Sequence, residues 1–180
     1  MWDITWLPDP VKGIYYYLYM IMDLFSRKIV GWEIWETESS EFASKLVTKA
    51  VFSENALILE RPLVLHSDNG SPMKGASLLT TLYNLGIVKS NSRPRVSNDN
   101  AYIESLFRTV KYMPAFPHNG FVTIESARKW VYNFVEYYNK KHRHSGLKHL
   151  TPNQRHNGGY KYILNQREKL LNEAKANHPE

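Results

Sequence analysis

Cysteine is absent from the 180 residues, so the chain has neither a disulfide framework nor a thiolate metal site. A long apolar run is also missing. The longest, residues 14–22, is too short to span a bilayer and too rich in tyrosine for a signal peptide. Repeats and low-complexity segments are lacking as well. We therefore expect a soluble, cytoplasmic protein with no membrane partner, folded as one domain.

Acidic residues are in the minority, 17 against 23 Lys and Arg, which gives a net charge of +6. The imbalance is uneven: residues 1–60 carry five basic and nine acidic side chains, whereas residues 128–169 carry ten basic and two acidic. Such asymmetry indicates contact with a polyanion on one side of the molecule. A solvated basic helix face is the alternative interpretation, and charge alone does not decide between them.

The hydrophobic pattern predicts an α/β fold. Strand-like segments are residues 2–7, 14–23, 29–36, 63–66 and 86–90, and helical periodicity marks residues 40–51, 75–84, 98–112 and 123–141. Three strands followed by helices alternating with two more strands predict a five-stranded mixed sheet flanked by helices. We expect a core at residues 1–150 and a basic helical tail at 151–180, opened by a capping box at Thr151.

Three carboxylates occupy positions where sheet proteins bind ligands. Asp68 follows the strand 63–66, and Asn69-Gly70 lets the chain turn away at once, although a plain Asx-turn would also explain it. Asp3 lies in an apolar string, where an unpaired carboxylate costs several kcal/mol.

Glu104 lies on the helix 98–112, for which Asn98 or Asp99 is the expected N-cap. Asn100, Arg108 and Lys111 share its face, opposite an apolar stripe. Carboxylates gathered around an oxygen-preferring cation such as Mg²⁺ suit phosphoryl transfer. His66 is a further possible ligand, but a scaffold role is the more common one for such a histidine.

Six motifs together resemble the catalytic core of DDE transposases of the bacterial insertion-sequence-three group, relatives of retroviral integrases. They are WDIT at 2–5, HSDNGS at 66–71, SRPRVSNDNAYIESLFRTVK at 92–111, YYN at 137–139, HRHSGL at 142–147 and TPNQR at 151–155. Thirty-five residues separate Asp68 from Glu104, which is the spacing typical of the family. The resemblance covers essentially the whole chain.

The resemblance implies a ribonuclease H-like fold in which Asp3, Asp68 and Glu104 meet as catalytic residues and as ligands of Mg²⁺, for which Mn²⁺ can substitute. It also implies a polynucleotidyl transferase that cuts and joins double-stranded DNA, working as a homo-oligomer on bacterial DNA. The DNA-contacting residues that we expect are Arg93, Arg95, Asn100, Arg108 and Lys111.

Members of this family usually carry a DNA-binding region ahead of the first aspartate, whereas two residues precede Asp3 here. We therefore expect an excised or truncated core. Two alternatives stay open: a nuclease of the same fold, which uses water in place of a DNA hydroxyl, and a catalytically silent DNA-binding or assembly fragment.

Overall fold

The computed structural model describes residues 1–58, 61–93 and 97–177. The strands are β1 Trp2–Pro8, β2 Tyr15–Met22, β3 Ile29–Trp35, β4 Val64–Ser67 and β5 Val88–Asn91. The helices are α1 Ser40–Ser53, α2 Ser71–Lys74, α3 Ala76–Asn84, α4 Ala101–Lys111, α5 Ile124–Lys140, α6 Pro152–His156 and α7 Tyr160–Asn177. Among the described residues, no helix is both long and apolar enough to cross a membrane.

The predicted antiparallel meander is confirmed. Strand β1 pairs with β2 so that Asp3 lies opposite Met20, and β2 pairs with β3. The single five-stranded sheet is wrong: among the described residues, β4 and β5 form a separate parallel pair. Strand β4 lies beside β1 without a hydrogen-bonded ladder between them. Local pattern predicts which segments are extended, but edge pairing depends on the register of segments distant in sequence.

Strand β2 is buried on both faces because successive side chains point to opposite sides of a sheet. Leu18, Met20 and Met22 pack on one side against α4 and α5. Tyr19 and Ile21 pack on the other side with α1 and α3. Burial of each such side chain stabilises the fold by about 1.5–3 kcal/mol, so the meander forms the rigid centre that positions Asp3.

Side chains cap the starts of three helices, α1, α5 and α6. Capping boxes at Thr123 and Thr151 open α5 and α6, as the sequence predicts for Thr151. The start of α4 differs: a 3₁₀ turn over Ser97–Asn100 precedes it, and Asn100 is its N-cap residue. The predicted N-caps Asn98 and Asp99 are therefore wrong, because the Asp99 carboxylate accepts hydrogen bonds from Arg93 instead.

The C-terminal segment is helical but divided. A left-handed Gly158, with φ of 78°, separates α6 from α7. Helix α6 packs against α5, whereas α7 has no buried residue in its described part.

Candidate active site

Asp3 is fixed on β1 by hydrogen bonds to both carboxylate oxygens. The backbone N–H of Ile4 donates to Oδ1 at 2.7 Å. The side-chain Nδ2 of Asn100 donates to Oδ2 at 3.2 Å. Asn100 directly precedes α4, so this second bond joins β1 to the start of the helix that carries Glu104.

Burial raises the pKa of Asp3 to about 7. The hydrogen bond from Ile4 opposes this shift, and the negative charges of Asp68, Glu104 and Glu38 add to it. Like charges disfavour ionisation only when they are near. The negative charges of Asp68, which directly follows β4, and of Glu104 on α4 therefore both favour the neutral form of Asp3.

Asp68 follows β4 in an Asx-turn. Its Oδ1 accepts a hydrogen bond from the Gly70 N–H at 2.9 Å. A Cβ at Gly70 would lie 3.1 Å from the same oxygen, which explains the glycine in this turn. Asn91 on β5 donates from Nδ2 to the main-chain oxygen of Asp68 at 2.8 Å. The turn leaves the carboxylate partly exposed beside the sheet, with Oδ2 without a hydrogen-bond partner among the described residues.

Glu104 is exposed in the first turn of α4, where the helix dipole favours a negative charge. The opposite side of α4 is buried in the core through Ile103, Leu106, Phe107 and Val110. Arg108 and Lys111 are exposed, one and two turns beyond Glu104. The amphipathic pattern of this helix therefore places Glu104 and two cations on the solvent side, as predicted.

The three carboxylates do not form a compact ligand set among the residues that the structure describes. In the described part of the chain, no three carboxylate or imidazole side chains are grouped closely enough to hold one metal ion. Carboxylates without a cation repel one another, which favours a spread arrangement.

The predicted DNA-contacting residues differ in their surroundings. Arg93 is engaged by Asp99, which accepts from Nε at 3.0 Å and from Nη2 at 2.9 Å, and whose pKa this contact lowers to about 2. Arg95 lies outside the described residues. Asn100 is buried, and its Oδ1 has no hydrogen-bond partner among the described residues.

His66 has a scaffold position. Its Nδ1 lies 2.9 Å from Ser90 Oγ, and its Nε2 lies 3.4 Å from Ser92 Oγ. These contacts join β4 to β5 and its end. The bond from Asn100 to Asp3 and the bond from Asn91 to Asp68 were not predicted. The only sequence signal for the first is that Asn100 lies one helical turn before Glu104.

Two family models match the chain, and both are described as integrase core domain. One matches residues 1–97, and the other matches residues 85–152. The chain therefore belongs to the integrase core domain family, which confirms the resemblance that its motifs show.

Two bacterial relatives are transposases. The transposase for insertion sequence element IS904 of Lactococcus lactis is 35% identical over 152 residues, which cover 83% of this chain and 57% of that protein. Transposase InsF for insertion sequence IS3A of Escherichia coli is 28% identical over 153 residues, 84% of this chain and 51% of the relative. The chain thus spans little more than half the length of these relatives.

Two solved structures share the fold. A chain of the simian T-cell lymphotropic virus intasome, solved in complex with PP2A regulatory subunit B56 gamma, has a TM-score of 0.65 at 19% identity, over 86% of this chain and 53% of that one. The HTLV-2 integrase catalytic core domain, solved with magnesium in a dimeric form, has a TM-score of 0.52 at 21% identity, over 86% and 92%. The ribonuclease H-like fold of integrase cores is therefore confirmed.

Proposed function

We propose that the chain is the catalytic core of a DDE-type insertion-sequence transposase that cuts DNA strands and joins them to new DNA. The observation that carries the proposal is the hydrogen bond from Asn100 to Asp3, which ties the first carboxylate to the helix of the third. The influence of Asp68 and Glu104 on Asp3 supports it.

The donor set suits a hard divalent cation. Asp3, Asp68 and Glu104 offer carboxylate oxygens from three separate parts of the fold, and the charges of Asp68 and Glu104 add to the raised pKa of Asp3. When bound, Mg²⁺ or Mn²⁺ would neutralise phosphate charge and activate a hydroxyl nucleophile. We assign Asp3, Asp68 and Glu104 as its ligands.

The residues around the three carboxylates have distinct tasks in this proposal. Asn100 and the Ile4 N–H fix the orientation of Asp3, and the Gly70 N–H fixes that of Asp68. Arg108 lies one turn from Glu104, where it can bind a phosphate of the DNA backbone. Cleavage and joining are the same in-line displacement at phosphorus: water releases a 3′-OH in the first, and that 3′-OH attacks target DNA in the second.

Further parts of the proposal concern DNA contacts, partners and boundaries. Lys111, Arg93 and Arg95 are the other DNA-contacting residues that we propose, whereas Asn100, whose side chain is buried and bound to Asp3, acts through that carboxylate instead. The partners would be the element's ends, the target duplex and further copies of the chain, at DNA in the bacterial cytoplasm. We place the catalytic core at residues 1–150 and a basic tail at 151–180.

A strand-transfer assay tests the function. The substrate is a labelled short duplex with a pre-nicked 3′-OH end, offered with plasmid target and Mg²⁺ or Mn²⁺. We expect joined products, and we expect Asp68→Asn to abolish both cleavage and joining because the amide keeps the size but loses the charge. Glu173→Gln on the exposed α7 removes the same charge away from the site and serves as the control.

The outcomes separate the alternatives. Hydrolysed DNA without joined products would identify a nuclease of the same fold. DNA binding without either reaction would identify a silent fragment. Full activity in Asp68→Asn would contradict the assignment of the carboxylates.

A further inference from the structure

A concave site lies on a flank of α4 that does not carry Glu104. It is a cavity of about 570 Å³ between the turn that joins β2 to β3, helix α4 and the segment 142–149. Tyr102, Ser105 and Thr109 are the α4 residues with polar groups that line it, and Glu104, Arg108 and Lys111 do not. The cavity is therefore distinct from the carboxylate site.

The cavity walls carry positive charge. Arg27 and Arg143 line it together with His142, His144 and His149, and no Asp or Glu is among its described lining residues. A concave surface that carries charge of one sign concentrates the field and attracts the opposite ion. The chemistry of the walls thus suits an anion.

Two of the residues that line the cavity each have a buried side-chain nitrogen atom. Arg27 Nη1 and His144 Nε2 are buried, and neither has a hydrogen-bond partner in the part of the chain that the structure describes. A buried donor without a partner costs about 1–3 kcal/mol. Burial lowers the pKa of His144 to about 4, with His142 and Arg27 adding to the effect, so the ring is neutral near pH 7 and carries one N–H.

Arg27 has a backbone conformation that is unusual for a residue with a side chain, and its guanidinium is stacked on an aromatic ring. Its φ is 63°, in the left-handed region where a side chain is unusual. Its guanidinium lies on the ring of Tyr102, with Cζ 3.4 Å from the ring centroid. Stacking fixes the plane of the guanidinium, and a guanidinium held in one plane suits the fork-like binding of phosphate oxygens.

We propose that this cavity binds a phosphate group through the Arg27 guanidinium and the His144 ring, and that a phosphodiester of bound DNA supplies it. The source of the phosphate rests on the proposed function. The binding chemistry does not: an anionic oxygen would satisfy the buried N–H of Arg27 and would accept from His144 Nε2 in the tautomer that carries its proton there.

Inorganic phosphate is the probe for the site itself. The side-chain nitrogen resonances of His144 are followed by NMR during a phosphate titration, with chloride holding the ionic strength constant. Arg27→Gly is the test variant because glycine adopts a positive φ without strain, so the turn is retained. Lys49→Gln is the charge-matched control: Lys49 is exposed on α1 and pairs with Glu33, away from the cavity.

We expect a saturable shift in wild type and in Lys49→Gln, and an affinity at least about tenfold lower in Arg27→Gly. Thermal unfolding of the variant checks that it remains folded. The absence of a saturable shift in wild type, or equal phosphate affinity in a folded Arg27→Gly, would overturn the site.

A second measurement identifies the source of the phosphate. We measure duplex affinity against salt concentration for the same three proteins. If a DNA phosphate occupies the cavity, Arg27→Gly should flatten the slope of log affinity against log salt by about one, and Lys49→Gln should leave it unchanged. Equal slopes for wild type and Arg27→Gly would overturn DNA as the source without touching the proposed function, whereas wild type that binds no DNA would contradict the proposed function itself.

Discussion

Opposing interactions act on the ionisation of the Asp3 side chain. Hydrogen bonds from Ile4 and Asn100 favour the ionised carboxylate, whereas burial and the neighbouring negative charges favour the neutral acid. Burial and the neighbouring negative charges outweigh the hydrogen bonds, because the pKa of Asp3 is raised to about 7. A residue selected for stability alone would not be an aspartate here, so its presence in an apolar strand agrees with a role in binding a cation.

Replacing Asp3 with asparagine should make the metal-free protein more stable. Because the pKa of Asp3 is about 7 in the folded protein and 3.8 ordinarily, the folded state holds the proton more tightly. Stability should therefore fall as pH rises from about 4 to about 7 and stay low above that range. At about pH 8 in chelator, we expect Asp3→Asn to be about 1–2 kcal/mol more stable, with a flatter pH profile.

Urea unfolding across this pH range measures the effect, with Glu173→Gln as the control for loss of a charge. Added Mg²⁺ should narrow the difference, since a ligand that binds the folded wild type stabilises it. An Asp3→Asn profile parallel to that of wild type would show that Asp3 does not titrate in this window.

Residue types and local context single out the three carboxylates as a predicted site, but they do not indicate which groups orient them. Asp3 is conspicuous within apolar neighbours, and Asp68 is conspicuous at the end of a strand. The contact between Asn100 and Asp3 joins positions 97 apart in the chain, so no periodic pattern reports it. The same holds for the cavity between Arg27 and His144, whose lining residues come from three separate segments.

At the level of elements, the buried side-chain amide of Asn139 hydrogen-bonds helix α5 to the start of β3. Asn139 accepts from the Ile29 N–H at 2.9 Å through Oδ1 and donates to the Ile29 carbonyl at 3.0 Å through Nδ2. These bonds satisfy both backbone groups at the start of β3. The YYN motif at 137–139, part of the family resemblance, thus has a structural role through its last residue.

Asn139→Ala should lower the free energy of unfolding by about 2–4 kcal/mol, because it leaves two buried backbone groups unpaired. Asn133→Ala in the same helix is the matched control, since Asn133 is exposed. Chemical denaturation of both variants gives the comparison. Equal stabilities would mean that water replaces the amide at no cost.

Helix α1 packs closely on β3 because Gly31 has no side chain. A Cβ at Gly31 would lie 2.9 Å from Ala50 Cβ and 3.3 Å from Leu46 Cδ1. Gly31→Ala should therefore push α1 from the sheet and destabilise the protein by about 1–3 kcal/mol. Gly159→Ala, whose new Cβ would lie 3.8 Å from its nearest neighbour, is the control in thermal unfolding. A melting temperature that drops equally in both would locate the cost in the backbone and not in this contact.

Elements were predicted where a short stretch of sequence determines them. Strand-like and helical patterns of hydrophobic residues predicted the antiparallel meander and helices α1 and α5. A capping box predicted the start of α6. The errors arose where distant groups compete. Asp99 bonds to Arg93 and not to the helix start, and the edge of β4 is left without a ladder to β1 in the described residues.

Across the whole molecule, basic side chains are concentrated in the C-terminal half of the sequence, where residues 128–169 carry ten Lys and Arg and two acidic residues. Arg108 and Lys111 are exposed on α4, and neither forms an ion pair with the residues that the structure describes. An ion pair with Glu104 or Glu125 would be the alternative to DNA binding for these side chains. Its absence from the described residues favours phosphate contact, because both charges are then available to a ligand.

The double variant Arg108→Ala, Lys111→Ala separates a DNA contact from ordinary surface charge. If both side chains bind phosphates, affinity should fall about equally for two unrelated duplexes, and the slope of log affinity against log salt should flatten by about one per lost contact. If they are only surface charge, the slope should not change, and stability should shift by no more than about 0.5 kcal/mol. The measurement is a salt titration of binding to both duplexes. Lys49→Gln, which removes a cation from α1, shows how much any single charge contributes from a distance. A slope that is the same in wild type and in the double variant on both duplexes would remove α4 from the DNA-binding surface.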